Sequence, residues 1–110
     1  MKILARKSIL FGLTVMVGLS FAAQAQNGAE ATYKSKCAMC HGADGKGDSP
    51  MGKKLNIRDL GSPEVQKQTD AELTTIVTKG KGKMMPFEGK LTAEQIGQVL
   101  AHIRELGKKK

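Results

Sequence analysis

The chain has no tryptophan, one tyrosine and three phenylalanines among its 110 residues. So few large rings leave little apolar bulk for a core, and a chain this short already buries a small share of its surface. It has only two cysteines, Cys37 and Cys40, which excludes a disulfide framework, because a bridge between residues three apart closes a loop too small to constrain the unfolded chain. Alternating apolar and polar runs are missing, so no β pattern appears and the expected class is all-α. The same lack removes the βαβ setting of a thioredoxin-like redox pair. Two histidines, His41 and the distant His102, make a poor zinc set with the two cysteines. No acid, base or nucleophile constellation stands out, so the chain is not expected to be an enzyme by itself. No nucleic-acid-binding motif is present either.

Acidic residues are also scarce, at 10 against 18 basic ones, for a net charge of +8. Part of that excess lies at the start. Lys2, Arg6 and Lys7 precede the uncharged, mostly apolar run Ile9 to Phe21, and Ala23-Gln24-Ala25 supplies a small-x-small site. This reads as a secretory signal peptide, residues 1–25, cleaved after Ala25, and it predicts an exported, periplasmic protein. The alternative, an uncleaved anchor helix, fits the polar end of the run less well. Cleavage leaves one domain, residues 26–110, with 15 basic and 10 acidic residues and a net charge near +5.

Within that domain the most informative stretch is Cys37-Ala38-Met39-Cys40-His41. Two thiols three apart can reach the two vinyl groups on one edge of a porphyrin, and the histidine behind them then meets the iron. A bare C-x-x-C would fit several chemistries; the histidine selects haem. A covalently held haem c would also supply the bulk that the composition lacks. The motif resembles the class I (monohaem) c-type cytochromes of the small bacterial periplasmic type, and the resemblance extends over nearly all of residues 27–107.

Near the start of the domain, Asn27 and Glu30 suggest an N-cap, and Ala29, Tyr33, Cys37 and Cys40 share one helical face. The resemblance implies that Tyr33 packs against the C-terminal helix, with Ala29 at the crossing. Gly42 to Pro50 reads as a glycine-rich loop, and the resemblance makes the Pro50 carbonyl the candidate acceptor for the axial histidine's other ring nitrogen. Met51 to Gly61 reads as irregular chain covering the haem. Thr69-Asp70-Ala71-Glu72 and Thr92-Ala93-Glu94-Gln95 are capping boxes. The first opens a helix with Leu73, Ile76 and Val77 inward, closing at Lys79-Gly80. The second opens a helix with Ile96, Val99, Leu100, Ile103 and Leu106 inward, ending at Gly107.

Between those helices lies Gly80-Lys81-Gly82-Lys83-Met84-Met85-Pro86-Phe87. The resemblance implies a distal methionine ligand here. Met84 stands three before the aromatic, as in the family; Met85 directly precedes the proline and is the alternative. The resemblance therefore implies haem held by Cys37 and Cys40, with His41 and Met84 as axial ligands. His102 occupies a place where the family commonly has an aromatic, and is expected to pack at the helix crossing or face water.

With both axial positions taken by protein, no open site remains for a substrate, which leaves one-electron exchange. The expected protein is a soluble periplasmic electron carrier and a monomer without a stable membrane anchor. The alternatives are an electron-transfer subunit of a dehydrogenase or oxidase complex and, third, a haem-based ligand sensor. Lys46, Lys53, Lys54, Lys79, Lys81, Lys83 and Lys90 would rim the haem and steer encounter with acidic faces of redox partner proteins. The shortage of apolar bulk also has a measurable consequence. Chain expressed without haem attachment will be largely unfolded, giving weak helical circular dichroism and no cooperative thermal transition.

Overall fold

The computed structural model describes residues 28–109. The expected leader peptide (1–25) and the expected Asn27 cap lie outside the described residues. Among the described residues there are six helices, in order: α1 (28–36), α2 (Ala38–His41), α3 (Pro50–Leu55), α4 (Pro63–Gln66), α5 (Asp70–Lys79) and α6 (Ala93–Lys108). Among the described residues there is no strand, only isolated bridges at Lys81–Met84 and Glu88–Leu91.

Local chemistry accounts for most of these boundaries. Both capping boxes form: Thr69 accepts from Glu72 N and Thr92 from Gln95 N, and each N3 side chain returns the bond. These reciprocal bonds satisfy amide groups that a helix start leaves without partners. Gly80 ends α5 as expected. The last helix runs one residue beyond Gly107, to Lys108. Gly107 lies inside the helix, closely packed against another element: a Cβ there would come within 2.5 Å of the Gln66 side chain.

Two expectations need correction. The region from Met51 to Gly61 is not all irregular, since α3 occupies its first half, and α4 comes just after it. Each opens on Ser-Pro, with Ser49 or Ser62 as N-cap and proline in the first turn. That is a recognised start signal; these helices, six and four residues long, are too short to show an apolar period. The second correction concerns the cysteines, which do not ride one continuous helix. Cys37 (φ −118°) interrupts the regular turn between α1 and α2, although the bonds Cys37 N–H to Tyr33 O and His41 N–H to Cys37 O carry the direction through.

Helix α6 is the spine of the core. Its five expected inward residues are all buried, and Leu73, Val77, Val65 and Phe87 close on them. Tyr33, with no exposed surface, and Ala29 bring α1 into the interior. Helix α4 is fastened to α6 by side-chain hydrogen bonds as well as by buried Val65. Gln66 Nε2 donates to Leu60 O and Ile103 O. Arg104 donates to Gln66 O, Gln68 O and Asp70 Oδ1.

Arg104 therefore satisfies carbonyls at the end of α4 and the start of α5 together. Arg104→Ala strips both carbonyls of their donor, and should cost about 2 kcal/mol in urea unfolding of the haem-loaded protein. Its visible spectrum should not change.

Candidate cofactor site

Three chain segments enclose a cleft of about 560 Å³, within the usual range for cofactor sites. The turn from α1 into α2 supplies Cys37, Met39, Cys40 and His41. The end of α3 adds Leu55, Asn56 and Ile57, and the loop after α5 adds Met84, Met85 and Phe87. All five side chains that the sequence proposed for the cofactor are thus brought together.

The wall bearing Cys37, Cys40 and His41 is held by its backbone. Three successive carbonyls leave the end of α2, and each meets a donor from a different part of the chain. Ser49 Oγ donates to Cys40 O at 2.8 Å, Gly47 N–H to His41 O at 2.8 Å, and Tyr33 Oη to Gly42 O at 2.7 Å. A helix C-terminus otherwise leaves such carbonyls unpaired. Ser49 also accepts from Gly52 N at 2.9 Å, so one hydroxyl caps α3 and anchors Cys40. Helix α3 comes so close that a Cβ on Gly52 would lie 2.5 Å from Cys40 O.

Burial sets the chemical state of the groups on this wall. Desolvation, reinforced by Cys40, pushes the Cys37 thiol up to about 11, so it stays protonated at neutral pH. Burial lowers the His41 pKa, which favours the neutral imidazole, the form that binds a metal. The expected Pro50 acceptor is not used. Pro50 is the first residue of α3, and His41 Nδ1 is buried with no hydrogen-bond partner.

The two methionines differ in setting. Met84 is partly buried and packs against the core, whereas Met85 is 57% exposed with Lys90 Nζ 3.6 Å from its sulfur. His102 does not line the cleft. Its ring packs against Tyr33 with centroids 4.6 Å apart and planes tilted by 39°, at the crossing of α1 and α6. Burial lowers its pKa too, with Glu30 and Glu105 acting against that shift and Lys109 and Lys34 with it.

Of the expected lysine rim, Lys81, Lys83 and Lys90 line the cleft. Lys46, Lys53 and Lys54 are exposed but do not line it, and Lys79 pairs with Glu88. Lys36, which the sequence pattern did not single out, joins the rim, and no acidic side chain does. Ser49 and Asn56 were also missed. Ser49 was legible as a cap; Asn56 enters only because a left-handed turn (φ 53°) ends α3 at the cleft.

These residues fit a porphyrin. The cleft is mainly apolar, two thiols stand on one wall, and His41, whose burial favours the neutral imidazole, lines it together with the Met84 thioether. That is a soft donor set suited to haem iron. Among the described residues, no group of three or more His, Cys, Asp or Glu gathers as a bare metal ion would require.

Comparison with known proteins agrees. Residues 23–103 match the family described as "Cytochrome C oxidase, cbb3-type, subunit III". Cytochrome c6 of Gloeothece citriformis is 37% identical over 102 residues, which is 92% of this chain and 87% of that protein. The solved structure of the c-type cytochrome KustC0563 superposes with a TM-score of 0.65 at 30% identity, covering 71% of this chain and 95% of the other. The chain belongs to this family of c-type cytochromes: it carries one covalently attached haem c and transfers electrons.

Proposed function

We propose that this protein is a diffusible periplasmic electron carrier, exported by the segment 1–25, and not an enzyme in its own right. Cys37 and Cys40 take the two thioether bonds, and His41 and Met84 are the axial ligands. The observation that carries this reading is the meeting of two thiols, an imidazole and a partly buried thioether on one apolar cleft whose charged lining residues are all lysines. When bound, the haem supplies a one-electron Fe(III)/Fe(II) couple. A soft neutral thioether favours the ferrous state and raises the potential.

The chain's own residues perform the remaining tasks. The donors from Ser49, Gly47 and Tyr33 hold the His41 backbone still, so little moves when the charge of the site changes. Leu55, Ile57 and Phe87 exclude water from the walls. Lys36, Lys81, Lys83 and Lys90 place positive charge around the mouth, where an acidic face of a reductase or oxidase would dock briefly. Among the described residues no helix is long and apolar enough to cross a membrane.

One specific observation favours a second reading. The matching family is described as an oxidase subunit, so this chain would then be an electron-entry subunit. Co-purification with a catalytic partner would select that reading, and recovery as an independent monomer selects the carrier.

The ligand assignment is tested by oxidised and reduced absorption spectra. The wild type should show the weak near-infrared-edge band of Met–Fe(III) ligation. Met84→Ala should abolish it and lower the potential, while Met85→Ala should keep both. The reverse pattern would make Met85 the ligand. Loss of the band in neither variant, together with ready carbon monoxide binding by the wild type, would point to an open distal site. The rim gives a separate prediction. Ferricyanide, an anion, should oxidise the ferrous protein faster at low salt, and Lys36→Glu with Lys83→Glu should slow it roughly tenfold there. Rates indifferent to salt would remove the steering role.

A further inference from the structure

The loop that carries the two methionines is closed on itself. At its neck, Phe87 N–H donates to Val77 O at 3.0 Å and Glu88 N–H to Thr78 O at 3.1 Å. The returning chain is therefore pinned to the last turn of α5. At its tip, Lys81 and Met84 exchange two hydrogen bonds, 3.1 Å and 3.0 Å long, around Gly82 and Lys83. Between neck and tip stands Gly80, and the returning backbone passes directly over it. A Cβ built on Gly80 would lie 2.6 Å from Met84 O, 2.9 Å from Pro86 N and 3.1 Å from the carbonyl carbon of Met85. Its backbone (φ 77°, ψ 168°) also falls in a region kept almost wholly for glycine.

From this packing we infer that Gly80 is the positioning residue for the distal thioether. The inference rests on the reading of Met84 as the distal ligand. Gly80 touches no cofactor; it acts through the backbone of Met84, Met85 and Pro86. A methyl group there must push that backbone outward, for two reasons. The far side of the contact is main chain, which cannot rotate away as a side chain can, and Pro86 removes one soft torsion from the returning strand. The neck bonds and the buried Phe87 hold the other end in place. The displacement therefore falls on the segment that presents the Met84 sulfur. The proximal wall lies on other elements and keeps its own hydrogen bonds.

Gly82 provides the control. It too has a positive φ (57°), but a Cβ there meets nothing within 4 Å. Alanine at Gly82, the first central residue of the two-residue turn between Lys81 and Met84, meets the local backbone penalty without the collision.

The experiment uses haem-loaded Gly80→Ala and Gly82→Ala beside the wild type and Met84→Ala. Covalent haem content should be equal in all four. Gly80→Ala should lose the Met–Fe(III) band, show a lower potential and bind added imidazole at least roughly tenfold more tightly, because the open distal state is more populated. Gly82→Ala should keep the band. In a Met84→Ala background, Gly80→Ala should lower the potential no further, since it acts through that side chain. Retention of the wild-type band and potential in Gly80→Ala would overturn the inference alone, as would equal loss in Gly82→Ala. A wild type without the band, or a band surviving Met84→Ala, would overturn the Met84 reading and this inference with it. If Gly80→Ala yields no folded holoprotein, Gly80→Ala with Pro86→Gly gives the strand room to move. That double variant should fold without the band while Pro86→Gly alone keeps it; a band in the double variant would overturn the inference.

Discussion

Three hydrogen bonds to three successive carbonyls, those of Cys40, His41 and Gly42, hold the site together. A four-residue helix has almost no stability of its own, because each of its ends leaves backbone groups unsatisfied. Here the C-terminal groups are satisfied from outside, by the cap of α3, by the loop and by the phenol of α1. The elements that flank the attachment motif are thereby tied to one point. Tyr33 is the most committed of them, with no exposed surface, one face against His102 and its hydroxyl on Gly42. Desolvation pushes its phenol pKa well up, so it remains a donor throughout the ordinary pH range.

The two sides of the cleft are built differently. The side bearing His41 draws on α1, α2 and α3 and on side-chain as well as backbone donors. The methionine side is one self-closed loop clasped to the end of α5, with exposed lysines at its tip. An electron-transfer site benefits from a proximal ligand that does not move. On the proposed reading of Met84 as distal ligand, that ligand would depend on a short backbone path that passes directly over Gly80. The same loop brings Lys81 and Lys83 to the cleft mouth, so two cleft-lining lysines and the two methionines share one stretch of chain.

The cofactor and the fold class could be read directly because their signals are local. The pentapeptide from Cys37 to His41 carries its chemistry in its spacing, and the capping boxes at Thr69 and Thr92 announce α5 and α6 without help from tertiary contacts. The apolar stripe of α6 was legible for the same reason, since sixteen residues give a period room to repeat. Helices α3 and α4 escaped notice because four to six residues cannot show one; only their Ser-Pro starts betray them. The acceptor expected at Pro50 failed because the resemblance supplies a residue type, not the register of a loop whose length varies.

The amino-acid sequence by itself determined the c-type haem motif, where the long helices begin and which of their faces turn inward. Each of these depends on residues within one or two helical turns. Tertiary structure alone decided that Lys36 joins Lys81, Lys83 and Lys90 at the mouth, that Met84 is the better buried of two adjacent thioethers, and that Ser49 reaches Cys40. It also decided that Gly80 must have no side chain. These outcomes depend on how closely segments distant in sequence approach one another, and such separations are set only when the core around α6 closes.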